Sequence, residues 1–312
     1  MICYGPVPSR RLGKSLGINN IPSPKVCTYS CIYCQVGATN KYGDTPQVFY
    51  EPEHIFTEVK KHLEKLSAND KPDYLTFVSN GEPTLDVNLG KTIQLLKTLG
   101  FPVAVITNAS LLKLMNVREN LMNADWVSVK VDANDEEVWK AINRPEKGFK
   151  YDDYIEGILK FSQKYKGILA TETMLVEGIN DQTNILSKTA DLISRINPSK
   201  AYISIPIRPP AVSTVKAPSE TTINKAYQIL HWKVEQTELM LGFEGTGLVS
   251  TGNPIEDITN ICAVHPIRDD SMQELLGKYK GGSDILEILL QGNYIERVEY
   301  QFQTFYIRKF HI

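Results

Sequence analysis

The chain has 312 residues and no apolar run long enough to cross a bilayer, which excludes a helical membrane span. It also lacks a surplus of either charge. Its 34 Lys and Arg stand against 36 Asp and Glu, a formal net charge of -2. That removes the global positive field that draws a protein to nucleic acid or to an anionic membrane, although a local patch can still act. The first residues, Met1-Ile2-Cys3-Tyr4-Gly5-Pro6, do not show the charged-then-apolar order of a signal peptide, so a cytoplasmic location is expected. Histidine is scarce, with five residues, none at a metal-ligand spacing. There is no low-complexity tract and no repeat of solenoid type. The composition, 42% hydrophobic and 22% charged, is that of an ordinary globular protein, long enough for a core domain and a small module.

Cysteine is scarce too, but it is not scattered. Three of the five cysteines fall in Cys27-Thr28-Tyr29-Ser30-Cys31-Ile32-Tyr33-Cys34. In a reducing compartment such a cluster reads better as a metal site than as disulfides. Thiolates bind soft metals and iron–sulfur clusters. A structural zinc site wants four ligands, usually as two separated pairs, and neither a second pair nor a nearby histidine is present. Three thiolates on a [4Fe–4S] cluster leave one iron open to a further ligand. The plainer alternative is three buried or disulfide-prone thiols. Cys3 and Cys262 are isolated and read as structural thiols, with Cys3 a candidate for a substrate-side role through its nearness to the loop.

Periodicity and punctuation give an alternating pattern. A first strand is expected from Leu12 to Ile18, and residues 38–52 read as loop. Helical spacing runs from Glu53 to Leu66 and is followed by a strand at Tyr74–Val78. A helix over about Asn88–Leu99 ends at Gly100, and a strand spans Pro102–Thr107. A broken helix covers Leu111–Met122, then a strand Trp126–Val131 and a helix Asp135–Ile142. A longer helix, Tyr151–Tyr165, leads to a strand Ile168–Val176, a helix Gln182–Ile196, a strand Ala201–Ile207 and a helix Thr221–Leu239. Six strand–helix cycles predict an α/β fold with a parallel sheet, a partial (βα)6 TIM-like barrel over residues 1–240. Residues 241–312 depart from the pattern. Helices at Ser271–Lys280 and Asp284–Gln291, then an alternating hairpin over Tyr294–Ile307, predict a small winged-helix-like module.

Ligands of parallel α/β folds collect at the carboxyl ends of the strands. The cysteine loop follows the first strand, and Ser79-Asn80-Gly81-Glu82-Pro83 follows the second. Gly81 permits close backbone approach, and Glu82 offers an acceptor to an ammonium group. Thr107-Asn108-Ala109 ends the third strand. Ser128, Lys130 and Asp132 alternate on one face at the end of the fourth, where unpaired buried charge would be costly. Thr171, Glu172 and Thr173 alternate in the fifth, and the sequence leaves open which face is inward. Ser204 and Arg208 finish the sixth, where Arg208 is suited to clamp a carboxylate or phosphate. Arg10, Arg11 and Lys14 are either solvated charges or holders of an anionic group at the barrel mouth.

Cys27-x3-Cys31-x2-Cys34, with Tyr33 before the last cysteine, resembles the cluster loop of the radical S-adenosylmethionine (SAM) superfamily. The lead-in Gly5-Pro6-Val7-Pro8-Ser9-Arg10-Arg11-Leu12-Gly13, the run-out Gln35-Val36-Gly37 and Arg208-Pro209-Pro210 resemble a bacterial and archaeal group related to the tRNA wybutosine-synthesis radical SAM enzyme. This resemblance extends to the end of the chain. It implies the incomplete barrel, a [4Fe–4S] cluster on Cys27, Cys31 and Cys34, and SAM on the open iron. It makes Gly81-Glu82 the counterpart of the superfamily's Gly-Glu motif at the SAM amine and sets Tyr33 beside the adenine. Asn108, Ser128, Lys130 and Asp132 become cofactor-facing, the last three toward the SAM ribose and carboxylate. The implied partners are a low-potential electron donor and a substrate that is tRNA or a small molecule. The competing readings are an iron–sulfur electron carrier and an iron- or redox-sensing nucleic-acid-binding regulator, neither with SAM catalysis. A plain electron carrier has no use for a pocket carrying Glu82 and the Ser128-Lys130-Asp132 row.

Overall fold

A computed structural model describes residues 2–309. The chain opens with β1 (Cys3–Ser9), β2 (Gly13–Ile18) and the short β3 (Val26–Cys27) and β4 (Lys41–Tyr42). Helices and strands then alternate. They are α1 (Pro52–Lys65), β5 (Tyr74–Phe77), α2 (Leu89–Lys97), β6 (Val103–Thr107), α3 (Met115–Leu121) and β7 (Trp126–Lys130). Next come α4 (Glu136–Asn143), α5 (Tyr151–Lys164), β8 (Ile168–Met174), α6 (Thr183–Ile196), β9 (Lys200–Ser204), α7 (Glu220–Lys233) and β10 (Thr237–Met240). The tail adds α8 (Pro254–Cys262), β11 (Ile267–Arg268), α9 (Asp269–Leu276), α10 (Gly282–Gln291), β12 (Ile295–Tyr300) and β13 (Gln303–Arg308). Among the described residues no helix is long and apolar enough to cross a membrane.

One sheet carries the order β1-β2-β5-β6-β7-β8-β9-β10. Every pair from β2 to β10 is parallel, and β1 runs antiparallel on the edge. The sheet curls into a half-barrel, the partial TIM-like core expected from the alternation. Helices cover its outer face: Ile55, Val59 and Leu63 of α1 and Ile93 and Leu96 of α2 join Leu75, Phe77, Val103 and Val105 in the main apolar core. The inner face changes character along the strands. Ala104, Trp126, Ala170, Tyr202 and Met240 close its lower part around Leu12. Two residues further on, strand alternation sets Ser128, Glu172 and Ser204 on that same face, with Lys130 beyond Ser128. The direction left open at Thr171-Glu172-Thr173 is thereby settled, because Glu172 lines the central cavity with Lys130 and Ser204.

Besides the two-residue strands β3, β4 and β11, which were not expected, three longer elements differ from expectation. The helix expected to reach Leu239 stops at Lys233, Val234 is extended, and Thr237–Met240 forms β10 instead. Residues such as Glu238 and Leu239 have good helical propensity, but pairing with β9 overrides it. β1 was not expected, because Pro6 and Pro8 argue against a strand. At a sheet edge the missing N–H is tolerated, and the β1–β2 register shifts between Tyr4 and Val7. The helix α8 was also missed, although Asn253 caps it by accepting from Glu256 N at 3.2 Å and Pro254 takes its first turn.

In the tail, α9 and α10 follow the short strand β11, and β11-β13-β12 form an antiparallel sheet. Its hairpin is apolar on one side and open on the other. Phe305 and Tyr306 are buried, while Phe302 at the hairpin tip is fully exposed. Arg308 donates to Thr259 O at 3.0 Å, and Arg297 lies over the Tyr306 ring. His311, which follows the hairpin in sequence, lies outside the described residues. Tyr4 and Val7 of β1 share one apolar cluster with Ile258, Ile261, Met272 and Leu275 of the tail. Each such side chain contributes about 1.5–3 kcal/mol when fully buried. A chain ending at Asn253 is therefore predicted to aggregate or to melt at a clearly lower temperature, as read by size-exclusion chromatography and thermal unfolding. A monomer of unchanged melting temperature would contradict the shared core.

Candidate active site

The cysteine loop is fixed by backbone pairing before any side chain is considered. Val26 bridges Gly81, and Glu82 N donates to Val26 O at 3.2 Å. Gly81 sits at φ +144°, and a Cβ there would lie 1.8 Å from Val26 O, so no other residue fits. Further along, Ile32 N donates to Ile142 O at 3.0 Å, Ser30 N to Asn143 O at 3.1 Å, and Cys34 N to Cys31 O at 3.1 Å. The loop is thus strapped to the ends of β5 and α4.

Cys27, Cys31 and Cys34 line one cavity of about 290 Å³ at the carboxyl ends of the parallel strands. Each thiol meets a side-chain N–H donor, and Cys27 takes the backbone N–H of Tyr29 as well. Asn108 Nδ2 lies 3.6 Å from Cys27 Sγ, Asn143 Nδ2 3.4 Å from Cys31 Sγ, and Lys25 Nζ 3.2 Å from Cys34 Sγ. Burial pushes the Cys27 and Cys31 thiols up to about 12. A thiolate in such a place needs the positive charge of a metal centre to lose its proton. Among the described residues no three His, Cys, Asp or Glu side chains are placed to hold a single metal ion. A [4Fe–4S] cluster draws one thiolate to each of several irons and suits a wider triangle. Cys3 is buried with its Sγ on Glu58 O at 3.7 Å, and neither it nor Cys262 lines the cavity.

The donors are themselves held. Glu82, almost completely buried, accepts from Thr84 N at 3.1 Å, Thr84 Oγ1 at 2.6 Å and Thr107 Oγ1 at 2.6 Å on Oε1, and from Asn108 N at 2.8 Å on Oε2. Burial raises its pKa while these bonds oppose the rise. Three donors fill Oε1, whereas Oε2 has accepted only one, so the oxygen available to an ammonium ligand is Oε2. Asp132 accepts from Tyr33 Oη, from Asn143 Nδ2 at 2.7 Å and from Met174 N at 2.8 Å. Tyr33 in turn lies under Lys130 Nζ at 5.3 Å.

Of the residues singled out by sequence, Tyr33, Gly81, Glu82, Asn108 and Lys130 line the cavity with the three cysteines. Ser128 and Asp132 do not, although both are buried. Ser128 shares the inner face with Lys130 but lies one step deeper, and Asp132 spends its carboxylate on Tyr33, Asn143 and β8. Arg10, Arg11 and Arg208 reach the cavity, whereas Lys14 is exposed and turns to Asn69 O. Sequence reasoning missed Lys25, Asn143, Glu244 and His265. A basic residue two places before Cys27 was the visible signal for the first, and nothing local marks the others.

At the mouth, Glu172 takes Arg11 Nη1, Lys130 Nζ at 2.7 Å and Ser204 Oγ at 3.1 Å. Burial would raise its pKa, but Arg11 and Lys130 hold it down at about 2. Glu244 takes Arg208 Nη2, and Arg10 Nη2 at 3.4 Å. Arg208 foremost holds it at about 2 against the same upward push of burial. Gln35 donates to Val264 O at 2.9 Å, and Tyr300 donates to Pro206 O at 3.2 Å, which ties the tail across the mouth.

Comparison with known proteins follows the same lines. The model of the Radical SAM superfamily matches residues 21–187. A UPF0026 protein of Methanocaldococcus jannaschii is 43% identical over 309 residues, covering 98% of this chain and 96% of the relative. One from Helicobacter pylori is 32% identical over 305 residues, covering 96% and 91%. Among solved structures, TYW1 with a lysine-pyruvate adduct bound superposes with a TM-score of 0.53 at 18% identity, covering 72% of this chain and 76% of that one. At that identity the likeness speaks for the fold alone.

With no fourth cysteine among the described residues of the wall, replacing any one of Cys27, Cys31 or Cys34 by Ala is predicted to abolish the iron–sulfur centre. Cys262→Ala is predicted to leave it intact. Iron and sulfide content and the visible absorption of anaerobically purified protein report both. A full centre in any of the three variants would remove that cysteine from the ligand set.

Proposed function

This chain belongs to the radical SAM superfamily, and from that premise we propose that Cys27, Cys31 and Cys34 hold its [4Fe–4S] cluster and that Glu82, Asn108, Tyr33 and Lys130 bind and orient its SAM. The observation that carries this reading is the meeting of three thiols, Cys27 buried and Cys31 and Cys34 half-buried, with Glu82 and Asn108 in one cavity at the strand ends. When bound, the cluster and SAM supply a 5′-deoxyadenosyl radical that abstracts hydrogen from the substrate, after one electron from a low-potential donor.

The chain's own residues bind, position and exclude water. Glu82 Oε2 accepts from the methionine ammonium, and Gly81 lets the backbone come close enough for this. Tyr33 packs at the adenine. Ser128 and Asp132 act one layer back: Asp132 fixes Tyr33 and Asn143, and Ser128 lies beneath Lys130 on the inner face. The half-barrel and the tail enclose the cavity, which is what a reactive radical requires.

We divide the chain into a barrel of residues 1–240 and a tail of 241–312, with β1 as the strand that the tail grips. The tail serves first to close the mouth. The burial of Phe305 and Tyr306 removes two of the rings that an RNA-stacking surface would need, so a small-molecule substrate has the better support.

Reduced, cluster-loaded protein supplied with SAM and a small-molecule cell fraction is predicted to release 5′-deoxyadenosine and methionine in equal amounts, and Cys34→Ala none. Mass spectrometry of the quenched mixture reads both products. Full cluster content and bound SAM without any cleavage in any cell fraction would sink the proposal.

A further inference from the structure

The cavity mouth carries more positive charge than its carboxylates answer. Arg11 and Lys130 share Glu172, and Arg10 and Arg208 share Glu244. Four cations therefore face two carboxylates, and both carboxylates, held at about 2, are ionised throughout the neutral range. His265 does not change the balance. Burial holds it down at about 3, so it is neutral, and its Nε2 lies 3.0 Å from Arg208 Nη2 as an acceptor. Glu82, the remaining carboxylate on the wall, is bonded to Thr84, Thr107 and Asn108 on the cysteine side.

Within this ring Arg10 is the residue least satisfied. Its Nε and Nη1 are shut off from solvent and meet no acceptor, and only Nη2 reaches Glu244, at 3.4 Å. Buried donors nearly always have partners, and a buried cation without them is unfavourable. Guanidinium presents its N–H groups as a planar fork that matches a carboxylate or a phosphate. The cofactors do not absorb the surplus. A [4Fe–4S] cluster on three thiolates is anionic, and SAM, with sulfonium and ammonium against one carboxylate, is cationic, so the two roughly cancel. The cavity, about 290 Å³, stands at the low end of ligand pockets and is roofed by the tail.

We propose that Arg10, with Arg11 and Arg208 beside it, forms an anion subsite at the barrel mouth, and that the enzyme's substrate is a small molecule held there by a carboxylate or phosphate group. The inference rests on the radical SAM reading of the same cavity. It assigns the arginines to the substrate and leaves the SAM carboxylate to the cysteine side.

Calorimetric titration of inorganic phosphate, and separately of acetate, into the anaerobic, cluster- and SAM-loaded full chain tests it. One of the two is expected to bind with one-to-one stoichiometry and so to name the group. Arg10→Gln is expected to weaken that binding by about tenfold or more, and Arg10→Lys, which keeps the charge but loses the fork, by less. SAM affinity is expected to stay the same in both variants. Equal anion binding by wild type and both variants, or no binding of either anion to wild type, overturns the subsite. A fall in SAM affinity that parallels the loss of charge overturns it too, by giving Arg10 to the SAM carboxylate. Should Arg10→Gln fail to fold, Arg10→Lys carries the comparison. Failure of wild type to bind SAM at all would instead defeat the radical SAM reading, and the same anion titrations on SAM-free protein would still decide the subsite.

Discussion

Three sulfurs on one loop each meet a side-chain N–H group, and the buried polar groups around them keep those three donors in place. Asn108 is held by its own backbone N–H on Glu82 and by its amide on Thr28 Oγ1 at 2.8 Å. Asn143 is held by Asp132, which also takes Tyr33 and the end of β8. Lys25 is pinned between Cys34 Sγ and Gly37 O, the latter at 2.6 Å. Donors to sulfur favour the thiolate over the thiol, and they are among the features that set an iron–sulfur cluster's potential. Glu82 and Asp132 are buried and costly to place there. Their cost is offset because each organises a donor as well as satisfying its own oxygens.

The second constraint is electrostatic and lies across the cavity. Glu172 and Glu244 gather Arg11, Lys130, Arg10 and Arg208 into a ring that joins the β1–β2 turn, β7, β8, the loop after β9 and the connector to the tail. The cavity thus has one wall of thiols and amides and another of guanidinium and ammonium groups. The tail closes the remaining side through Gln35, Tyr300 and His265. Its apolar cluster with Tyr4 and Val7 makes that closure part of the folded core.

Much of this was legible in the sequence. The alternation of β-rich runs with helical spacing gave the parallel half-barrel, and punctuation put Gly81-Glu82 and Asn108 at strand ends, where they stand in the structure. β10 was hidden because Glu238, Leu239 and Met240 suit a helix and became a strand only through pairing with β9. β1 was hidden by Pro6 and Pro8, which an edge strand tolerates. By contrast, α8 was signalled by Asn253, Pro254 and Glu256, a cap, a first-turn proline and an acidic first turn, and was overlooked. That the Asp132 carboxylate accepts from Tyr33, Asn143 and Met174 N was not legible, because strand alternation shows a shared face but not which neighbours a side chain meets. Glu244 and His265 come from a connector and the tail, 36 and 57 residues beyond Arg208, and only tertiary packing brings them to it.

The central claim is that three cysteines hold the cluster and leave one iron for SAM. Electron–nuclear double resonance on the reduced, cluster-loaded protein with SAM labelled at its amine nitrogen or carboxylate oxygens tests it most directly. The account predicts magnetic coupling of both labels to the cluster, lost when Cys27, Cys31 or Cys34 is replaced. A full [4Fe–4S] centre with saturating SAM bound and no coupling to either label would contradict it.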